Sequence, residues 1–271
     1  MEIRQAIPSD KQPILDFCKT TFSWGDYIAD VWDSWFSEGN LLVLSENKNP
    51  IAVCHISIIK GQQVWIEGIR VKQNFRRKGF AKRLVIESEL IGKKNDCKVS
   101  KMLIEKNNID SLGLADKLHY EREELWNFFT LIPKKTVLNS NVCLSKNIEK
   151  ILDFLSSFKL FYVRSWRWLP LSSSDIQTLV EKKRILISNR NGIVVALAIF
   201  IPSDHFEKTL MVTLFAKNEN EIKDILNYIQ NFSYNEGYKR IQILSTINFI
   251  PMEKEIEKKF SFYLMKKDLQ A

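Results

Sequence analysis

Between Val64 and Leu84 the chain passes from an apolar segment through a basic turn with one glycine into a helix-like segment, an arrangement that presents backbone N–H groups to phosphate oxygens. Val64 to Val71 is mostly apolar and β-branched, so it reads as a buried strand whose alternation puts Trp65, Glu67 and Ile69 on one face. From Phe80 onward Leu84, Val85, Ser88 and Ile91 recur at helical spacing, and Lys93 and Lys94 sit where a helix C-terminus favours cations. Gly79 therefore falls at the helix start. Lacking Cβ, it lets a ligand approach the backbone, while the amides from Arg77 to Lys82 carry the partial positive charge of a helix N-terminus. Arg76, Arg77, Lys78, Lys82 and Arg83 add formal charge suited to a diphosphate. A plainer reading of the same run is a solvated basic turn.

Neither common phosphate loop is present: no Gly-x-x-x-x-Gly-Lys-Ser/Thr run and no three-glycine dinucleotide fingerprint. Arg76-x-x-Gly79-x-Ala81, with Val71 before it and Leu84 after it, resembles the acetyl-coenzyme A loop of the GNAT superfamily of N-acetyltransferases. Other segments are similar to that family in order. Ile3 to Ala6, a capped Pro8-Ser9-Asp10 turn and an amphipathic Ile14–Cys18 stretch read as strand, turn and helix. Leu41 to Ser45 and Ile51 to Ile59 read as a hairpin, Lys101 to Glu105 as a further strand, and Asn108-x-x-Ser111-x-x-Leu114 as the start of a helix ending near His119 and Tyr120. The resemblance spans roughly residues 2 to 132.

The resemblance implies acetyl-coenzyme A as co-substrate, bound by Arg76, Arg77, Lys78, Gly79, Phe80, Ala81 and Lys82, with Asn108 and Ser111 contributing. It also implies a bulged strand whose backbone from Ile69 through Arg70 to Val71 holds the pantetheine arm and polarises the thioester carbonyl. Glu67 occupies a place that several members use for acid–base work; the alternative is a strand glutamate paired with a nearby Lys or Arg. An alkylamine, with a pKa of about 10, must lose a proton before it attacks a thioester, and Glu67 is the expected base. The family's tyrosine acid aligns with Ala115. Tyr120 or a water replaces it, or the thiolate leaves unprotonated, or the chemistry has lapsed.

Trp24, Asp26 and Tyr27, with Trp65 on the Glu67 face, are the expected acceptor wall, since aromatic faces and carboxylates favour a cationic amine. Trp32, Trp35 and Phe36 recur at helical spacing and read as core. Glu67 to Val71, Asp26-Tyr27 and the Trp35 region resemble the histidine N-acetyltransferase-like branch and, less closely, aminoglycoside acetyltransferases. The implied activity is direct acetyl transfer to a primary amine of a small molecule or amino acid. The rivals are a peptide acceptor and a lapsed acyl-coenzyme A sensor.

Composition narrows the remaining classes. The four cysteines and three histidines are scattered, so neither metal nor disulfide framework is indicated, and His55, in an apolar strand, reads as a core or groove-lining residue. The net charge of +8 comes from lysines spread along the chain, its densest cluster is the loop already described, and no specific nucleic-acid motif occurs. No apolar run long enough for a membrane span and no leader pattern is seen, so the cytoplasm is the expected location. Oligomeric state stays open.

The first 135 residues account for one α/β (α+β) domain of GNAT type, a mixed central sheet flanked by helices. Residues 136–271 give two helices (148–158, 174–182), a hairpin about Asn191-Gly192, a strand (210–216), a helix (221–232), a strand (240–245), a helix (253–260) and a strand (262–265). This repeats the first half's order and implies a second, degenerate GNAT-like domain. Its turn at residues 216–221 holds no glycine and two acids, so it lacks the phosphate loop.

Overall fold

The computed structural model describes residues 1–19, 21, 25–59, 62–248 and 256–269. In chain order the elements are β1 (Glu2–Gln5), α1 (Lys11–Cys18), α2 (Ile28–Glu38), β2 (Leu41–Glu46), β3 (Asn49–Ile59), β4 (Gln63–Val71), α3 (Phe80–Lys94), β5 (Val99–Glu105), α4 (Ile109–Lys117) and β6 (Glu121–Leu131). They continue with β7 (Val142–Leu144), α5 (Ile148–Leu155), β8 (Phe161–Arg164), β9 (Arg167–Pro170), α6 (Ser173–Glu181), β10 (Ile185–Arg190), β11 (Ile193–Pro202), β12 (Thr209–Ala216), α7 (Lys223–Asn235), β13 (Arg240–Ser245) and β14 (Ile256–Asp268).

Two compact units result, Met1–Glu124 with Tyr263–Ala271, and Leu125–Phe262. The sequence division at 135/136 followed chain order; the units do not, because the end of β14 lies with the first unit, where the Leu269 N–H donates to the Lys98 carbonyl at 2.8 Å. The segment expected as a helix over 253–260 is strand from Ile256 onward, and 253–255 lie outside the described residues. The helix propensity of its lysines and glutamates yields to pairing with β6, its neighbour in the sheet. The β8–β9 hairpin has no counterpart in the sequence reading.

In the first unit the strands run β1-β2-β3-β4-β5 and then the end of β14 beside the start of β6. Asn47 and Lys48, both at positive φ, make the tight β2–β3 turn. One sheet face packs on α3 and α4 through Leu42, Ile56, Val64, Ile66, Leu84, Val85 and Leu112. Helix α2 buries Ile28, Val31, Trp32 and Trp35, one helical stripe, while Phe36 is exposed.

In the second unit the order is β6-β13-β12-β11-β10-β7, with β12–β13 parallel and the other neighbours antiparallel. Helix α7 packs on one face through Ile222, Ile225 and Ile229. Helices α5 and α6 pack on the other through Ile151, Phe154, Leu155 and Ile176.

Candidate active site

Strand β4 pairs regularly with β3 from Gln63↔Ile59 to Glu67↔His55, then slips by one residue, so that Arg70 faces Val53. Gly68 sits in this bulge with φ +65, and a Cβ built there would lie 2.4 Å from the Trp35 ring. Only glycine satisfies both demands. The bulge also resets the alternation: Trp65 and Glu67 share a face, but Ile69 turns to the α3 side and packs with Val64 and Ile66. The single-face expectation for Trp65, Glu67 and Ile69 fails at this third residue, because one inserted residue reverses every side chain after it.

Strand β4 also parts from β5. Their parallel register runs only from Gln63↔Val99 to Ile66↔Met102, although β4 continues to Val71 and β5 to Glu105. The bulge and the parting start at the same level of the strand. Past Val71 a helical turn at Gln73–Phe75 leads to Arg76, whose Nε donates to the Val71 carbonyl at 3.1 Å, and then to Arg77 and Gly79, both at positive φ. Gly79 is the N-cap of α3, and apart from its immediate neighbours in the chain no atom of the described residues lies within 4 Å of where its Cβ would be. Arg76, Arg77, Lys78 and Lys82 are exposed around it; Phe80 is buried and Ala81 half-buried. Arg77 reaches Asp110 at 2.5 Å, and Lys78 lies over the Phe75 ring. The loop therefore has what a diphosphate needs: an unobstructed backbone at a helix N-terminus, ringed by cations.

Glu67 is recessed, with an 11% exposed side chain. Its Oε2 receives the Trp65 indole N–H at 3.2 Å, and its Oε1 lies 2.9 Å from His55 Nδ1. His55 is fully buried, stacks on Trp35 at 4.8 Å, and faces the Gly39 carbonyl through Nε2 at 3.1 Å. Glu38, at the end of α2, lies 3.8 Å from the same nitrogen. Glu67 thus has a histidine on the adjacent strand among its partners. His55 as the Glu67 partner was missed, although a mirror register about the turn after Ile59 sets the two opposite one another.

Of the expected acceptor residues, Asp26 is engaged within the protein: Arg70 Nε and Nη2 donate to its two oxygens at 2.6 and 3.0 Å. The Arg70 guanidinium also lies over the Tyr27 ring, which meets Trp35 edge-on. Burial pushes the Tyr27 hydroxyl above its ordinary range. Trp24 lies outside the described residues. Trp65 and Tyr27 remain beside Glu67, whereas Tyr120 does not join them. Its hydroxyl is buried, 2.5 Å from Ser100 Oγ, in the core that α3 covers, and burial first, then Glu89, raises its pKa. Asn108 caps α4, its side chain accepting the Ser111 N–H at 3.1 Å, and Ala115 is buried on that helix. Cys18 and Cys54 are pushed up to about 12 by burial, so neither supplies a thiolate nucleophile at neutral pH. Among the described residues no cluster of three or more His, Cys, Asp or Glu could hold a metal ion. No helix among them is long and apolar enough to cross a membrane.

A bulged strand parting from its parallel neighbour, followed by a glycine-started helix ringed by cations, defines a GNAT-type acetyltransferase domain. Residues 11–120 match the Acetyltransferase (GNAT) family. No curated protein matches the chain in sequence. Solved structures share the fold across its length. A candidate acetyltransferase from Thermoplasma acidophilum, 14% identical, aligns over 99% of this chain and 100% of its own with a TM-score of 0.66. A GCN5-related N-acetyltransferase from Sphaerobacter thermophilus, 11% identical, aligns over 100% and 96% with 0.64. A tandem GNAT protein from the clavulanic acid biosynthesis pathway, 8% identical, aligns over 100% and 99% with 0.58.

Proposed function

We propose that the first unit transfers an acetyl group from acetyl-coenzyme A directly to the primary amine of a small molecule or amino acid, with Glu67 as the base. One observation carries this reading: a recessed carboxylate at the level where β4 bulges and parts from β5, on the strand that leads into the Gly79 loop. The thioester supplies an activated acyl group. Arg76 to Lys82 hold the diphosphate through backbone N–H groups and cations, and the β4 backbone after the bulge, Ile69 to Val71, orients the arm. Glu67 takes one proton from the acceptor ammonium, leaving a lone pair to form the C–N bond as the C–S bond breaks. The second ammonium proton goes to the departing thiolate. With Tyr120 turned into the core and alanine at 115, no tyrosine acid is assigned. The recessed carboxylate suits a slender amine, and the same alanine favours the lapsed-sensor reading as the rival.

The test is release of free thiol from acetyl-coenzyme A over panels of amines, amino acids and peptides. Turnover with a small amine above hydrolysis is expected; turnover with peptides alone moves the acceptor class, and none with any acceptor favours the sensor. At Gly79→Asp the added Cβ enters open space, so beyond the left-handed penalty of about 1–2 kcal/mol the fold should persist, as urea unfolding would show, while coenzyme A binding is abolished; calorimetry should find one molecule bound per wild-type chain.

A further inference from the structure

We propose that His55 is the positioning residue for Glu67, and that the two side chains hold one proton between them and act as a single proton-accepting unit. This rests on Glu67 being the base. The Gly39 carbonyl can only accept, so the hydrogen on Nε2 points to it at 3.1 Å. Nδ1 then faces Glu67 Oε1 at 2.9 Å, and that contact is a hydrogen bond only when one proton lies between the two atoms. An imidazolium facing a carboxylate and a neutral imidazole facing a carboxylic acid hold the same proton count, so a proton can cross without leaving the site.

The surroundings make this a built pair. The imidazole is clamped between the Gly39 carbonyl and the Trp35 ring, with interplanar angle 5°, and the side chain is fully buried. The carboxylate is held at its other oxygen by Trp65. Among the described residues, the groups near the pair include Glu38 at the end of α2, Cys54 next to His55 on β3, Trp65 on β4 and, beyond the bulge, Arg70 with Asp26 and Tyr27. When the acceptor ammonium breaks an N–H bond, an O–H bond forms on Glu67, and the proton already shared with His55 adjusts between Nδ1 and Oε1. A side chain of similar reach that cannot ionise would keep part of the packing and lose this sharing.

The test pairs kinetics with a readout independent of turnover. For His55→Gln, kcat should fall about 10- to 100-fold from a misplaced carboxylate, with the KM for acetyl-coenzyme A within about twofold of wild type. The acid limb of the kcat profile should be displaced by about half a pH unit or more, as for coupled groups. A uniform loss with an unmoved limb, or no loss, overturns the proposal. Independently, nitrogen NMR of the ring atoms is simple with three histidines, and His55→Gln identifies the signals of residue 55. Glu67→Gln should shift both ring-nitrogen signals of His55 and leave His119 and His205 in place; unmoved His55 signals overturn the sharing. Should wild type acetylate nothing, the enzymatic reading fails while this measurement still decides the pair.

Discussion

Two strands at matching places in the two units carry opposite solutions to one problem. Counting from the first residue paired to the parallel neighbour, Gln63 in β4 and Thr209 in β12, Glu67 corresponds to Thr213, and its cross-strand partner His55 corresponds to Ile199. In the first unit the strand bulges after Glu67 and its parallel pairing stops at Ile66. In the second, pairing runs unbroken to Leu214↔Ser245, no bulge interrupts β11–β12, and every β12 residue is buried. The Thr213 hydroxyl accepts the Val163 N–H of the β8–β9 hairpin at 2.8 Å, and Trp168 and Trp126 pack edge-on in that unit. The loop after β12 has Asn218 as a cap and Glu221 bonded to Arg190 in place of a left-handed glycine ringed by cations. One strand parts from its parallel neighbour, and the other is closed into core. A parting strand leaves backbone groups to be satisfied by a ligand, so a unit without a phosphate loop gains by closing it.

The largest expected effect separates Glu67 from its counterpart. If Glu67 is the base, as proposed, Glu67→Gln should lower kcat by about 10²- to 10⁴-fold while coenzyme A binding persists. Thr213→Val, at the same register position, should leave kcat within about twofold and instead cost about 1–3 kcal/mol of stability, because the buried Val163 N–H loses its acceptor. Steady-state rates with urea unfolding of both variants check the contrast; a large rate loss in Thr213→Val would break it.

The next effect tests the bulge itself. Gly68 and Gly192 both have positive φ, but an added Cβ at Gly192 meets nothing within 4 Å, whereas at Gly68 it lies 2.4 Å from Trp35. Both alanine variants bear the left-handed penalty of about 1–2 kcal/mol. Only Gly68→Ala adds overpacking, about 1–3 kcal/mol more. Denaturant unfolding should show that difference. Equal costs would mean that the Trp35 ring yields freely and does not pin the site.

The contrast between the loops was legible in the sequence because a glycine or its absence, and the sign of the flanking charges, are local features. The partner of Glu67 was not, and the bulged, parted strand was implied only by the family resemblance. They arise from register: a single inserted residue at Gly68 moves Ile69 to the other face, and nothing in the Val64–Val71 pattern marks it except the glycine. Asp26 read as an acceptor contact because its carboxylate stands among aromatics, yet Arg70, 44 residues away, takes both its oxygens. Tyr120 lay near the position of a missing acid in sequence, but the side it faces is set where α4 turns into β6, the strand it immediately precedes. The hairpin that closes the second unit was hidden by its short strands, four residues each, with Ser165 and Trp166 at positive φ in its turn where glycine or asparagine would have signalled it.

The smallest effect compares two Arg–Asp pairs. In the first unit Asp10 has a 3% exposed side chain and accepts from Arg4 at 2.6 Å and from the Ile7 N–H at 2.9 Å. In the second, Arg164 and Asp204 are about half exposed, at 54% and 49%. Burial alone would raise both carboxyls, but the hydrogen bonds, from Arg4 and Ile7 in one case and from Arg164 and Ser165 in the other, outweigh it and lower them. A carboxyl lowered on folding stabilises the protein above its unfolded value, about 3.9, and that contribution is lost as pH falls through the folded value. Asp10→Asn should therefore cost about 1–3 kcal/mol at neutral pH, with the loss fading in acid. Asp204→Asn should cost under about 1 kcal/mol, since its pair is solvent-screened. Urea unfolding at pH 7 and near pH 3 reads both. If the two costs match at neutral pH, the burial of Asp10 gives its pair no advantage over the exposed one in the second unit.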